Sequence, residues 1–254
     1  MQRISLLLFF FFSLTFGLSS CTTTTDPAAK EPAVVKEPAI KPLVQEVLTK
    51  EQQDALTPAA VVASFKAGNE RFMNNDLTAR DHSAQVRKTT YGQYPKAIVL
   101  SCVDSRVPVE DVFDRGIGDI FVARVAGNFV NEDILGSMEF ACKVSGSKVI
   151  LVMGHEHCGA VKAAIGDVKL GNITPMLSKI RPALGMGIAA KFGGEKTAKN
   201  EAYVHAVCET NVLNNMNRIR NESPILKEME DNGEIAIVGA IYDMDTGKVN
   251  FLSE

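Results

Sequence analysis

Neither sign of charge is in excess in this chain: 27 Lys and Arg stand against 30 Asp and Glu in 254 residues, a formal net charge of −3. Such a balance offers no broad attraction to a phosphate backbone, so nucleic acid is not an expected partner. Cysteine is scarce, at five residues. That is too few for a disulfide-built scaffold, and a chain of this length can bury a core without one. No apolar run reaches the ~20 residues that a membrane-spanning helix needs, and no internal repeat is found. With 46% hydrophobic and 22% charged residues, the composition is that of a globular domain with additions, which excludes disorder throughout.

The additions are at the N-terminus. Arg3 precedes an apolar run from Ile4 to Gly17, and Leu18-Ser19-Ser20-Cys21 follows it. A basic start, a short apolar stretch and small residues at its end are the pattern of an export signal rather than a membrane span. The Leu-Ser-Ser-Cys ending resembles the lipobox of bacterial lipoproteins, which implies cleavage after residue 20, a lipid on the sulfur of Cys21, and anchoring to a bacterial membrane, facing the periplasm. The next stretch is rich in Thr, Ala, Lys, Glu and Pro, with Pro32, Pro38 and Pro42 and no apolar period. Such a composition favours an extended, semi-stiff tether. The division expected is therefore a signal over 1–20, a lipidated cysteine and tether over 21–51, and a folded domain over 52–254.

Thr57-Pro58 is a helix-entry signal, and Val61, Val62, Phe65 and Phe72 follow it at helical spacing, which predicts an N-terminal helical extension. Four short apolar runs, at 97–100, 120–122, 149–152 and 235–238, read as fully buried strands. Helical patterns lie between them, one opened by Asn131 and one carrying Val204, Cys208, Val212, Met216 and Ile219 on a single face. Strands alternating with helices predict an α/β fold with a mainly parallel sheet flanked by helices.

Residues suited to chemistry follow two of those strands. Ser101-Cys102-Val103-Asp104-Ser105-Arg106 follows the first, and Gly154-His155-Glu156-His157-Cys158-Gly159 follows the third. The carboxyl ends of neighbouring parallel strands frame one crevice, which brings Cys102, His155 and Cys158 together. Two thiolates and an imidazole suit tetrahedral zinc, and three protein ligands leave a fourth position open.

The two stretches together, Cys-x-Asp-Ser-Arg and His-x-x-Cys, resemble the hallmarks of the β-class carbonic anhydrases. The resemblance runs over roughly 55–252, through Gly92-Gln93-Tyr94-Pro95-Lys96 and Gly118-Asp119-Ile120-Phe121-Val122-Ala123-Arg124 to Ile237-Val238-Gly239-Ala240-Ile241-Tyr242-Asp243. It implies a zinc enzyme interconverting carbon dioxide and bicarbonate, at least dimeric, with one zinc per chain on Cys102, His155 and Cys158. It also implies that Asp104 and Arg106 form a catalytic pair. A site with two thiolates and a neutral imidazole leaves zinc without net charge, so the activation of water needs help. Asp104 is expected to accept a hydrogen bond from the nucleophile, while Arg106 clamps Asp104 and lowers its pKa. Without the clamp, Asp104 can turn onto the metal as a fourth ligand.

By the same resemblance Gln93 lines the active site through its amide, with a turn residue as the alternative, and Phe121, Ala126 and Phe140 form an apolar substrate wall, which core packing explains equally well. His157 lies between ligands as a proton relay or simply an exposed side chain. Cys142 and Cys208 fall in helical patterns as inert thiols. Relatives of this fold that hydrolyse carbon disulfide or carbonyl sulfide provide an alternative substrate class, and a zinc-holding lipoprotein without turnover is a non-enzymatic alternative. Three features depart from the family pattern: Val125 where asparagine often follows the arginine, the lipoprotein leader, and the absence of tryptophan. Val99 occupies the position at which some members place a tryptophan that, with an arginine matching Arg124, binds regulatory bicarbonate. That pocket is expected to be missing here.

Overall fold

A computed structural model describes residues 42–253; the expected leader, Cys21 and most of the tether lie outside the described residues. Five strands form one sheet in the order β2-β1-β3-β4-β5. β1 (Ala97–Ser101), β2 (Phe121–Arg124), β3 (Val149–His155) and β4 (Ala236–Tyr242) run parallel, and β5 (Val249–Phe251) pairs antiparallel with β4.

The continuous apolar runs arise because the central strands are covered on both faces, and every residue of β1 and β3 is buried. Alternate side chains enter two separate cores. Ile98, Leu100, Ile150, Val152, Ile237 and Ile241 join one core with Val204, Val207, Val212 and Met216 of the long helix Glu201–Glu222. Ala97, Val99, Val149, Leu151 and Met153 join the other, with Val61 and Phe65 of the helix Pro58–Met73 and with Val109 and Phe113. Phe65 and Phe113 stack at 4.6 Å, and both are fully buried. Truncating either to alanine would cost about 3–5 kcal/mol.

Local signals act as their chemistry predicts. Thr57 accepts a hydrogen bond from the Ala60 N–H with Pro58 in the first turn, and Asn131 accepts one from the Ile134 N–H to start the helix Glu132–Glu139. The chain packs on the domain before residue 52. The Val44 N–H donates to the Ala79 carbonyl at 2.8 Å, its carbonyl accepts from the Asp81 N–H at 3.0 Å, and Thr49 opens the helix Lys50–Asp54 with a capping box. β5 and the π-helical turn Phe140–Val144, which extends the helix Glu132–Glu139, carry no period of their own in the sequence. Among the described residues, no helix is long and apolar enough to cross a membrane.

Candidate metal centre

β1 and β3 are neighbours, with Leu100 paired to Val152, so Cys102 just after β1 and His155 at the end of β3 leave the same edge of the sheet. Cys158 is the N-cap of the helix Gly159–Ile165 that turns back from that edge. Ligand atoms of Cys102, His155 and Cys158 all lie within 4.8 Å of one another, and all three residues are buried.

The donor set fits zinc on two grounds. His155 Nδ1 lies 2.8 Å from the Glu156 carbonyl oxygen. A carbonyl only accepts, so Nδ1 carries the proton and Nε2 presents a lone pair. That Nε2 is buried without a hydrogen-bond partner, a situation that costs about 1–3 kcal/mol unless something fills it. The sulfurs give the second ground. Cys102 is held below the ordinary thiol range, chiefly by Cys158 beside it, with the backbone N–H groups of Gly127 and Asp104 adding to the effect against burial. Cys158 moves the opposite way, because Cys102 holds its proton and burial disfavours its charge. Two buried sulfurs, one of them favoured as thiolate, beside an unused imidazole lone pair are a donor set for a thiophilic divalent cation.

Beside the ligands, Arg106 grips Asp104 with two parallel bonds, Nε to Oδ1 at 2.9 Å and Nη2 to Oδ2 at 2.8 Å, while its backbone N–H also reaches Oδ1 at 3.0 Å. These bonds, the side-chain ones foremost, hold the Asp104 carboxyl well below the usual carboxylate range. Asp104 Oδ2 is 3.9 Å from His155 Nε2, at the rim of the ligand set. Arg124 braces the same loop from β2, donating through Nε to the Cys102 carbonyl at 2.8 Å and through Nη2 to the Asp104 carbonyl at 2.6 Å.

The sequence profile of the carbonic anhydrase family matches residues 97–249. The chain is 33% identical over 201 residues to carbonic anhydrase 2 of Mycobacterium tuberculosis, covering 75% of this chain and 91% of that protein. The chain belongs to the β-class carbonic anhydrase family. Its fold is similar to that of a β-carbonic anhydrase of Aspergillus fumigatus, with a TM-score of 0.60 and 25% identity over 77% of this chain and 90% of the other. It is also similar in fold to a tetrameric β-carbonic anhydrase of Sordaria macrospora, with a TM-score of 0.59 and 20% identity over 77% and 95%. As a carbonic anhydrase, the protein uses zinc to interconvert carbon dioxide and bicarbonate.

The remaining candidates are distributed more widely than the three candidate ligands. Phe121 and Phe140 meet edge to face at 6.3 Å in an open groove of about 780 Å³ along β2, which Ile98, Ile134, Glu132 and Asp133 also line. Ala126 is half-buried in the turn after β2. Gln93 is exposed and lines a small cleft with Thr89, Thr90, Ile117 and Gly118 that contains none of the three ligands. His157 is half-exposed and its Nδ1 lies 2.7 Å from Glu201. Cys142 and Cys208 are buried free thiols, and burial pushes each up to about 12. Val99 is fully buried in the core beneath β1 and offers nothing to an anion. Sequence reasoning missed the Gly127 N–H, which donates to Cys102 Sγ at 3.3 Å. A backbone donor leaves no mark on residue type beyond the glycine itself.

Proposed function

We propose that in this carbonic anhydrase Cys102, His155 and Cys158 hold the zinc and that Asp104 and Arg106 direct the nucleophile. Zinc bound there would supply Lewis acidity toward water, weakened by the two thiolates relative to an all-histidine site. The observation that carries the reading is the position of Asp104: an ionised carboxylate, 3.9 Å from the free His155 nitrogen and fixed at both oxygens by Arg106. An ionised carboxylate only accepts hydrogen bonds, so Asp104 Oδ2 takes the proton side of an attacking oxygen and turns its lone pair toward the carbon of the substrate. Arg106 keeps Asp104 charged and stops it turning onto the metal. Phe121, Ala126 and Phe140 are proposed as an apolar wall for an uncharged gas and Gln93 as a polar contact, on the family resemblance alone.

Assembly with further copies of the chain is also part of the reading. It is supported by the groove beside the four-residue edge strand β2, where Phe140 is 54% exposed, since open apolar grooves on a sheet edge are features that association covers. Export and lipid anchoring at Cys21, with a tether carrying the catalytic domain, rest on the leader sequence.

Stopped-flow hydration of carbon dioxide by zinc-loaded, metal-stripped and reconstituted protein tests the function, run beside sulfide release from carbonyl sulfide and carbon disulfide. Metal-dependent hydration, restored by zinc and lost in Cys102→Ser, is expected. Sulfide release without hydration would assign the other substrate class, and zinc binding without either would leave a non-enzymatic lipoprotein.

A further inference from the structure

Besides Thr210, three buried polar side chains stand among the apolar core positions of the helix Glu201–Glu222: Asn211, Asn214 and Asn215, of which Asn211 and Asn215 are fully buried. Cys208, Val212, Met216 and Ile219 around them pack into the core. A primary amide in such a place is costly unless its hydrogen bonds are made, and two of the three make a directed chain. The Val130 N–H donates to Asn215 Oδ1 at 2.8 Å. A backbone N–H only donates, so this bond fixes which end of the Asn215 amide is oxygen, and its Nδ2 must face the other way. There it donates to the Asn211 carbonyl at 2.8 Å and to Asn211 Oδ1 at 3.1 Å. With its oxygen so occupied, Asn211 directs Nδ2 to the Gly127 carbonyl at 2.9 Å. The polarity of both amides is therefore set by the backbone at each end, and the pair ties down both Gly127 and Val130.

Gly127 has reason to be tied. The Asn128 N–H closes a turn on the Val125 carbonyl at 2.9 Å, with Gly127 at φ +82°, a conformation that disfavours any side chain. A Cβ there would lie 2.3 Å from Ile180 Cδ1. In this turn the Gly127 N–H is aimed at Cys102 Sγ, 3.3 Å away in the buried interior. An N–H donor on a thiolate draws charge from the sulfur and fixes the direction of its lone pairs.

We propose that Asn211, held by Asn215, is a positioning residue of the metal site: it fixes the Gly127 turn so that the Gly127 N–H is directed at the sulfur of Cys102, and thereby sets the affinity and electronic character of the centre. The proposal rests on the assignment of Cys102 as a ligand.

The test uses the full-length protein loaded with zinc, or with cobalt as a spectroscopic probe, and compares wild type with Asn211→Ser, Asn215→Leu and the control Asn214→Ala. Asn214 is buried on the same helix, and its amide nitrogen has no partner. Folding is checked by circular dichroism and thermal midpoint. Asn211→Ser and Asn215→Leu are expected to weaken zinc affinity, measured by chelator competition, by about tenfold or more, in the range typical of lost supporting contacts. They are also expected to move the sulfur-to-cobalt charge-transfer band to longer wavelength, because a sulfur without its donor gives up charge more easily. Asn214→Ala should leave both unchanged. Should Asn211→Ser fail to fold, Asn215→Leu reads the same chain from its other end. Folded variants with wild-type affinity and band position would overturn the proposal. A wild-type protein without a sulfur-to-cobalt band would overturn the ligand assignment and the proposal with it.

Discussion

Asp104 and Arg106 are partly open to solvent, with side chains 17% and 55% exposed, and neither belongs to either core. Their exposed pairing adds little to stability. Replacing Asp104 by alanine removes the group proposed to orient the nucleophile, and replacing Arg106 releases Asp104 from its fixed position. Each variant is expected to lose about a hundredfold or more in hydration turnover while its thermal midpoint stays near that of wild type. Stopped-flow rates with calorimetry on the same samples check this, and near-normal turnover in either variant would remove the pair from the mechanism. The placement of this pair beside Cys102, His155 and Cys158 was legible in the sequence because a metal-type cysteine, an aspartate and an arginine within five positions on a strand-end loop have few purely structural uses. Asn211 was not legible, since asparagine on a helix is ordinary and its partner, the Gly127 carbonyl, is defined only by tertiary packing.

At the scale of elements, Asp114 links three pieces of the N-terminal half. It sits just after the short helix Val109–Val112 at φ +50° with its side chain fully buried. It accepts from Arg71 of the helix Pro58–Met73 at 2.5 Å, from Arg80 at 2.6 Å, and from the Thr78 hydroxyl and N–H at 2.6 and 3.1 Å. Burial pushes its carboxyl up, yet the bonds from Thr78, Arg80 and Arg71 together outweigh it and hold it below the usual carboxylate range. The folded value thus lies below the unfolded one, near ~3.9. The ionised group contributes stability in full above the unfolded value and loses it as the pH falls from there through the folded one. Asp114→Asn is expected to cost about 3 kcal/mol at neutral pH, the low end for a broken buried pair because Arg71 is partly exposed. The gap to wild type should narrow below about pH 4. Urea denaturation of both proteins across pH measures it, and a gap independent of pH would contradict the ion-pair account.

Element by element, the four parallel strands and the helices opened by Thr57 and Asn131 could be read beforehand, because continuous burial and capping chemistry act locally. β5 could not. Its three residues exist as a strand because the turn after Asp243, whose Oδ1 accepts from the N–H groups of Asp245 and Thr246, returns the chain alongside β4.

For the whole molecule, the folded part and its proposed attachment to a membrane are separate matters. The domain takes hold of the chain by Val44, and Glu46 pairs with Lys88 at 2.9 Å, so the proposed tether is the stretch between Cys21 and that point. If Cys21 carries the lipid, mass spectrometry of the membrane-fraction protein should find an N-terminal peptide that begins at an acylated Cys21, and protein expressed from residue 22 without the leader should be soluble with unchanged hydration activity per zinc. A Cys21 found unmodified in the membrane fraction would contradict anchoring at that residue.

The proposed chemistry depends on zinc held by two sulfurs and one imidazole. The most direct test is the fine structure of the zinc K-edge X-ray absorption of the purified zinc protein. Two sulfur scatterers at about 2.3 Å and an imidazole nitrogen at about 2.0–2.1 Å are expected from Cys102, Cys158 and His155. A first shell without sulfur, or with only one, would contradict the assignment.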